Sequence, residues 1–124
     1  MFVKLLSGGF LGLETFPVEV QVDISNGLPF FNIVGLADTA VKEAKERVRS
    51  AIKNSGFSFP TKRITVNLAP SDRRKVGSLY DLPIAVGILK ATNQGGDTLP
   101  QDTVFLGELA LNGEIKPVRG VLAI

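Results

Sequence analysis

One segment of the chain decides its fold: residues 36–69, "LADTAVKEAKERVRSAIKNSGFSFPTKRITVNLA". In its first part, apolar residues recur at the spacing of one helical face, namely Val41, Ala44, Val48, Ala51 and Ile52. Its last part, residues 63–69, alternates apolar with polar residues, as a strand with one buried face does. The segment therefore predicts an amphipathic helix followed directly by a strand.

The ends of this helix carry the usual signals. We expect Asp38 or Thr39 to cap its start, and Gly56 to end it. Most of its charged residues fall on the predicted solvent side: Lys42, Glu43, Glu46, Arg49 and Lys53.

Three strands are predicted before the helix, over residues 2–6, 17–25 and 29–35. The segment 17–25 alternates most clearly, with valine and isoleucine at every second position. We expect "SGGFLGLE", residues 7–14, to be a glycine-rich bend, and Asn26–Gly27 to form a tight hairpin turn between the second and third strands.

A second helix and two further strands follow residue 69. The segment "LYDLPIAVGILKATN", residues 79–93, is apolar enough to be a helix buried on most sides. Pro83 fits only its first turn, which places the helix start near Tyr80 or Asp81. Residues 103–118 are predicted to be two strands joined at Asn112–Gly113.

The resulting order is β-β-β-α-β-α-β-β. Because the helices do not alternate regularly with the strands, this order favours an α+β fold with a mixed sheet and helices on one face. The length of 124 residues suits a single domain spanning 1–124. The final "RGVLAI" resembles the opening of another helix, so we expect the chain to be a C-terminally truncated piece of a longer protein.

Composition excludes several kinds of site. The chain has no cysteine and no histidine, which rules out disulfides and thiolate metal sites and removes the commonest general base. No apolar run reaches membrane-spanning length, and no secretory signal is evident, so we expect a soluble cytoplasmic domain with no membrane contact. The net charge of +2 does not by itself predict nucleic-acid binding.

The stretch "RRKVGSLYDLPIAVG", residues 73–87, holds the remaining candidates for chemistry. Ser78 precedes a helix but needs a base, and Lys75 has no reason to point at it, so a loop or near-cap role is favoured. Asp81 is best explained as a first-turn carboxylate that binds free backbone N–H groups, with a partner-facing role or pairing to a basic residue as the weaker alternatives. No phosphate-binding loop motif is present, and we predict no catalytic, cofactor or metal residues in this chain.

Basic residues flank the strand 63–69 and remain a candidate contact surface: Lys62, Arg63, Arg73, Arg74 and Lys75. An ordinary solvated surface is the simplest interpretation, then contact with a neighbouring domain or subunit, then phosphates of DNA. No aromatic residue interleaves with these charges in the sequence, so a stacking platform for single-stranded DNA is not predicted.

With these residues considered together, the chain resembles a known family. The segment from "NIVGLADTAVKEAKERVRSAIKNSG" through "APSDRRKVGSLYDLPIAVGIL", with "FLGELALNGEIKPVRGVL", is similar to the N-terminal domain of the YifB/ComM proteins. These are bacterial AAA+ ATPases related to the ATPase subunit of magnesium chelatase. The resemblance covers nearly the whole chain, and Ala37 is a small departure, since the family usually has proline there.

The resemblance implies a ribosomal protein S5 domain-2-like fold, shared with the Lon protease catalytic domain. It implies that an AAA+ module binding ATP and Mg²⁺ follows in the full-length protein. It further implies a hexameric DNA helicase of ComM type that promotes branch migration during natural transformation. This domain would then be a non-catalytic partner of its own AAA+ module and of neighbouring subunits, supporting assembly or DNA engagement. The alternatives are a DNA-binding module acting through the basic loop and, less favoured, a Lon-like Ser–Lys peptidase.

The similarity to Lon argues against the peptidase. Aligned on "GELALNGEIKPVRGVL", the position of the Lon catalytic lysine falls on Leu122. Aligned on the second helix, the position of the Lon nucleophile falls on Tyr80, and Ser78 lies two residues too early. The resemblance therefore implies that the protease fold persists without the protease dyad.

Overall fold

A computed structural model describes residues 1–11, 14–70, 75, 77–94 and 103–116. The elements follow the predicted order: β1 (Phe2–Leu11), β2 (Glu14–Ser25), β3 (Phe30–Val34), α1 (Asp38–Asn54), β4 (Arg63–Ala69), a 3₁₀ turn (Gly77–Tyr80), α2 (Asp81–Ala91), β5 (Glu108–Leu109) and β6 (Ile115–Lys116). The α+β class with a mixed sheet is confirmed.

Four strands form the main sheet in the order β1-β2-β4-β3. The pairs β1–β2 and β2–β4 are antiparallel, whereas β3 and β4 are parallel, with Phe30 opposite Arg63. A parallel pair needs a crossover connection, and α1 supplies it. The strands β5 and β6 form a separate short hairpin, closed by hydrogen bonds from Ala110 N to Glu114 O and from Gly113 N to Ala110 O.

The predicted hairpin between β2 and β3 is wrong. The chain bends at Asn26–Gly27, but β4 lies between the two strands, and Phe30 N donates to Lys62 O. The physical reason is pairing and burial: in the central position β4 pairs with β2 on one edge and with β3 on the other, and its Ile64, Val66 and Leu68 are fully buried. Turn residues determine a local reversal of the chain and do not determine which strand becomes its neighbour.

The predicted glycine-rich bend is also wrong for residues 7–11, which continue β1. Gly9 lies opposite Phe16 of β2, and a Cβ atom at Gly9 would stand 2.4 Å from the Phe16 ring. A glycine here leaves room for the aromatic ring of the neighbouring strand, as glycines in strands often do. The two strands are therefore longer than the alternation in the sequence indicated.

Both helices pack on one face of the sheet, as predicted. The helix α2 lies over β1 and β2, where a Cβ atom at Gly87 would stand only 2.7 Å from Val22 Cγ2. The helix α1 packs beside α2 and over β3, with Ala44, Val48, Ala51 and Ile52 buried. In the part of the chain that the structure describes, no helix covers the opposite sheet face.

The predicted side-chain cap of α1 is not observed. Ala37 occupies the capping position in an extended conformation and makes no side-chain hydrogen bond, so Asp38 and Thr39 already lie inside the helix. Asp38 still places a negative charge in the first turn, where it complements the helix dipole. The other end agrees with the sequence, because α1 ends just before Gly56. The start of α2 at Asp81, with Pro83 in its first turn, is confirmed.

Candidate functional site

Asp81 is the most enclosed charged residue in the described structure. Its side chain has no solvent exposure, and Arg47 of α1 binds it through both nitrogens of one guanidinium edge. Arg47 Nε lies 2.6 Å from Asp81 Oδ2, and Nη2 lies 3.1 Å from Oδ1. The backbone N–H of Leu109 donates to Oδ2 at 3.1 Å. One carboxylate therefore joins α1, α2 and β5, and we call this set the closed ion pair.

The closed ion pair corrects the interpretation of Asp81 as a helix-capping carboxylate. The Asp81 carboxylate accepts hydrogen bonds from Leu109 N–H and Arg47. The N–H of Leu82, which has no partner within the first turn of α2, donates to Gly107 O at 3.0 Å. Gly107 N in turn donates to Leu79 O. The segment before β5 therefore satisfies the start of α2, which leaves the carboxylate of Asp81 available to bind Arg47.

Burial sets the electrostatics of this pair. Removal from water raises the pKa of the Asp81 carboxyl, while the hydrogen bonds from Arg47 and from the Leu109 amide act to lower it. The hydrogen bond to Asp81 raises the pKa of Arg47. A carboxylate that is enclosed and bound on both oxygens has no free face for a substrate, so its arrangement serves the packing of three elements.

Tyr80 and Ser78 are poor nucleophiles in this structure. Tyr80 is fully buried, and burial raises the pKa of its hydroxyl to about 12, so it remains protonated near neutral pH. Ser78 lies half-buried in the 3₁₀ turn. Lys75 Nζ lies 3.4 Å from Gly35 O, a contact that directs this side chain toward the end of β3. The described residues contain no group of three or more potential metal ligands.

The predicted basic surface is divided between the two ends of β3. Lys62 and Arg63 are exposed and lie beside Phe30, where β3 begins. Lys75 contacts Gly35, just after β3 ends. Arg73 and Arg74 lie outside the described residues. A single patch made of all five residues therefore stays a prediction, and the structure brings together Lys62 and Arg63.

A second group of cations joins Lys62 in space. An open cleft of about 420 Å³ lies between α1, the start of β3 and the loop before β4. Its lining, which we call the basic cleft, consists of Pro29, Phe30, Phe31, Lys45, Arg49, Lys53, Phe59, Pro60, Thr61 and Lys62. No acidic residue lines the basic cleft in the part of the chain that the structure describes.

Aromatic rings lie directly against the charges at the basic cleft. The guanidinium carbon of Arg49 lies 5.3 Å from the centroid of the Phe59 ring, and that of Arg63 lies 5.2 Å from the centroid of Phe30. Phe59 also packs against Phe31 at a centroid distance of 5.5 Å. The sequence did not predict these contacts, because Phe30 is distant from Arg63 along the chain and becomes its neighbour only through the parallel pairing of β3 with β4.

Sequence reasoning also missed the cations that α1 contributes to the cleft. Lys45, Arg49 and Lys53 recur at every fourth residue, a spacing that places them along one flank of a helix. That spacing was an available signal for a basic stripe. The sequence could not indicate that this flank faces Phe59.

These observations define a class: a small α+β domain in which the buried carboxylate at the start of α2 serves packing and an open cleft is lined by basic residues. A protein family described as subunit ChlI of Mg-chelatase matches residues 20–124. The chain belongs to this family, and it corresponds to the N-terminal region of its YifB and ComM relatives.

Three relatives show how far the similarity extends. The chain is 50% identical over 113 residues to the protein YifB of Salmonella typhimurium, and 48% identical over 112 residues to the competence protein ComM of Haemophilus influenzae. It is 43% identical over 111 residues to a protein of Mycobacterium tuberculosis. These matches cover 90–91% of this chain and 22% of each relative, so the chain spans about a fifth of the length of the curated relatives it matches. No helix in the described residues is long and apolar enough to cross a membrane.

Proposed function

We propose that this chain is a non-catalytic domain of a ComM-like AAA+ ATPase, and that it supports ring assembly or DNA engagement. The observation that supports the non-catalytic role is the closed ion pair, in which Asp81 is fully buried and bound by Arg47 and Leu109. ATP and Mg²⁺ would bind elsewhere in the natural protein, which we expect to be cytoplasmic. Its partners would be its own AAA+ module and neighbouring subunits of a hexamer.

Hydrolysis of ATP tests the first part of this proposal. The purified chain should show no hydrolysis above a buffer blank, whereas the natural protein that carries it should hydrolyse ATP. A rate in the isolated chain that disappears in Asp81→Asn or Ser78→Ala would contradict the non-catalytic role. Sedimentation of the natural protein with and without this domain would then show whether the domain is needed for assembly.

DNA engagement is supported by the exposed cations Lys62 and Arg63 and by the resemblance to ComM-type helicases. In this proposal, Lys75 and the two arginines at 73 and 74 form a further contact with the same DNA. Arg73→Ala combined with Arg74→Ala should weaken binding of the natural protein to branched DNA and reduce the salt dependence of that binding. Binding that is unchanged across a salt titration would contradict a role for this loop.

A Lon-like peptidase remains the least supported alternative, because Tyr80 is buried and Lys75 contacts Gly35. Cleavage of casein by the natural protein that is lost in Ser78→Ala would support it.

A further inference from the structure

The basic cleft concentrates positive charge that the described structure leaves without carboxylate partners. Lys45, Arg49, Lys53 and Lys62 all line it. The ion pair found among the described residues is Arg47–Asp81, which lies on a different flank of α1. Cations gathered in one concave surface raise the local concentration of anions there.

The arrangement on α1 itself favours an anionic ligand. Lys45, Arg49 and Lys53 follow one another at intervals of four residues, and like charges at this spacing destabilise a helix. Arg49 and Lys45 are half-buried against the cleft, which reduces their screening by water. A ligand with several negative charges at regular spacing would relieve this repulsion.

The aromatic rings make the ligand more specific than a simple anion. Phe30 keeps 47% of its surface exposed, although Arg63 stacks over it, and Phe59 lies beneath Arg49. Exposed rings next to cations are surfaces on which nucleobases stack while their phosphates are neutralised. In a duplex the base faces are already stacked on each other, so rings at a cleft can bind them only in a single strand.

We propose that the basic cleft binds single-stranded nucleic acid, with phosphates on Lys45, Arg49, Lys53 and Lys62 and a base against Phe30. This inference rests on the DNA engagement proposed above, and it adds the surface and the strandedness of the ligand. It concerns residues separate from the 73–75 loop, so the two contacts can be tested independently.

The test uses the purified chain and a fluorescently labelled oligothymidylate of about 16 nucleotides, a length within the range that single-strand-binding domains cover. The cleft variant is Lys45→Gln, Arg49→Gln and Lys53→Gln together. The matched control is Lys4→Gln, Lys42→Gln and Lys116→Gln, which removes the same charge from exposed residues outside the cleft. Phe30→Leu removes the ring and keeps an apolar side chain.

The wild-type chain should bind the oligonucleotide, with an affinity that falls as salt rises. The slope of log affinity against log salt should decrease by about 0.7 for each phosphate contact removed, so the cleft variant should lose about two units of slope and the control almost none. Phe30→Leu should weaken binding about tenfold and leave the slope unchanged.

Four results would overturn the proposal. They are absence of binding by the wild type, equal losses in the cleft and control variants, tighter binding of a duplex of the same length, and equally effective competition by polyglutamate. If branched DNA still binds the natural protein through Arg73 and Arg74 while the cleft variant behaves as wild type, DNA engagement stands and the cleft assignment fails.

Discussion

Two arginines of α1 lie one half-turn apart and serve different parts of the molecule. Arg47 binds a fully buried carboxylate and keeps 23% of its side chain exposed, whereas Arg49 lies over a phenylalanine ring at an open cleft. The first charge is neutralised inside the protein, and the second remains available to a ligand. Two arginines of the same helix therefore have different roles, because each faces a different neighbouring element: Arg47 faces α2, and Arg49 faces the loop before β4.

The largest expected effect is loss of the closed ion pair. Arg47→Met leaves the Asp81 carboxylate buried with one backbone N–H, and removing one partner of a buried pair costs about 3–5 kcal/mol. Because Arg47 is partly exposed, we expect a destabilisation of about 3 kcal/mol in urea unfolding. The control Lys42→Met, at an exposed position of the same helix, should change stability by less than about 0.5 kcal/mol. Equal effects of the two substitutions would show that Arg47 is not a structural residue.

The stability difference between wild type and Arg47→Met should depend on pH. Burial raises the pKa of Asp81 above its ordinary value of 3.8, and loss of Arg47 removes the main interaction that lowers it. A carboxyl with a raised folded pKa causes no loss of stability below its unfolded pKa. It destabilises the fold increasingly as pH rises from the unfolded pKa to the folded pKa, and by a constant amount at higher pH. The difference should therefore be larger near neutral pH than around pH 4, by about 1.4 kcal/mol for each unit by which the variant raises the pKa further. Unfolding curves at the two pH values measure it, and a difference that grows on acidification would contradict this assignment.

The same contrast shows what the sequence could predict. Strict alternation from Arg63 to Ala69 predicted the bounds of β4 as they are found, because a buried face forces a period of two. The spacing of α1 predicted its buried stripe for the same kind of reason. Neither pattern contains information about partners: Asp81 lies 34 residues from Arg47, and only the packing of α2 beside α1 brings them together. The basic cleft was missed because its position depends on the order of the strands. Phe30 at the start of β3 and Phe59 in the loop before β4 lie beside the charged flank of α1 only when β4 pairs with β3, and the predicted β2–β3 hairpin gave a different order.

Tyr80 offers a smaller test of the closed region. Its hydroxyl is buried and makes no hydrogen bond with the described residues, a situation that disfavours the folded state. Tyr80→Phe removes the hydroxyl and keeps the ring, so we expect stability to rise by about 1 kcal/mol in thermal or urea unfolding. A loss of stability would indicate that the hydroxyl has a partner in the folded protein. If the isolated wild-type chain hydrolyses ATP or casein and Tyr80→Phe does not, the non-catalytic role is contradicted.

The smallest expected change in stability is at Arg49. Arg49→Met is the same substitution as Arg47→Met, two residues along the same helix. It removes a cation–π contact with Phe59 that is worth about 0.5 kcal/mol at a partly exposed site, and it also relieves repulsion from Lys45 and Lys53. Unfolding in urea should therefore differ from wild type by no more than about 0.5 kcal/mol.

The same Arg49→Met protein should nevertheless lose affinity for single-stranded oligonucleotide, with the salt slope reduced by about 0.7. Arg47→Met should show the opposite pattern at a temperature where it stays folded: reduced stability and unchanged salt slope. Measuring both quantities for both variants separates the two roles, because a general disturbance of α1 would lower stability and binding together. If Arg49→Met loses as much stability as Arg47→Met, the basic cleft is part of the structural core, and the distinction between the two flanks of α1 does not hold.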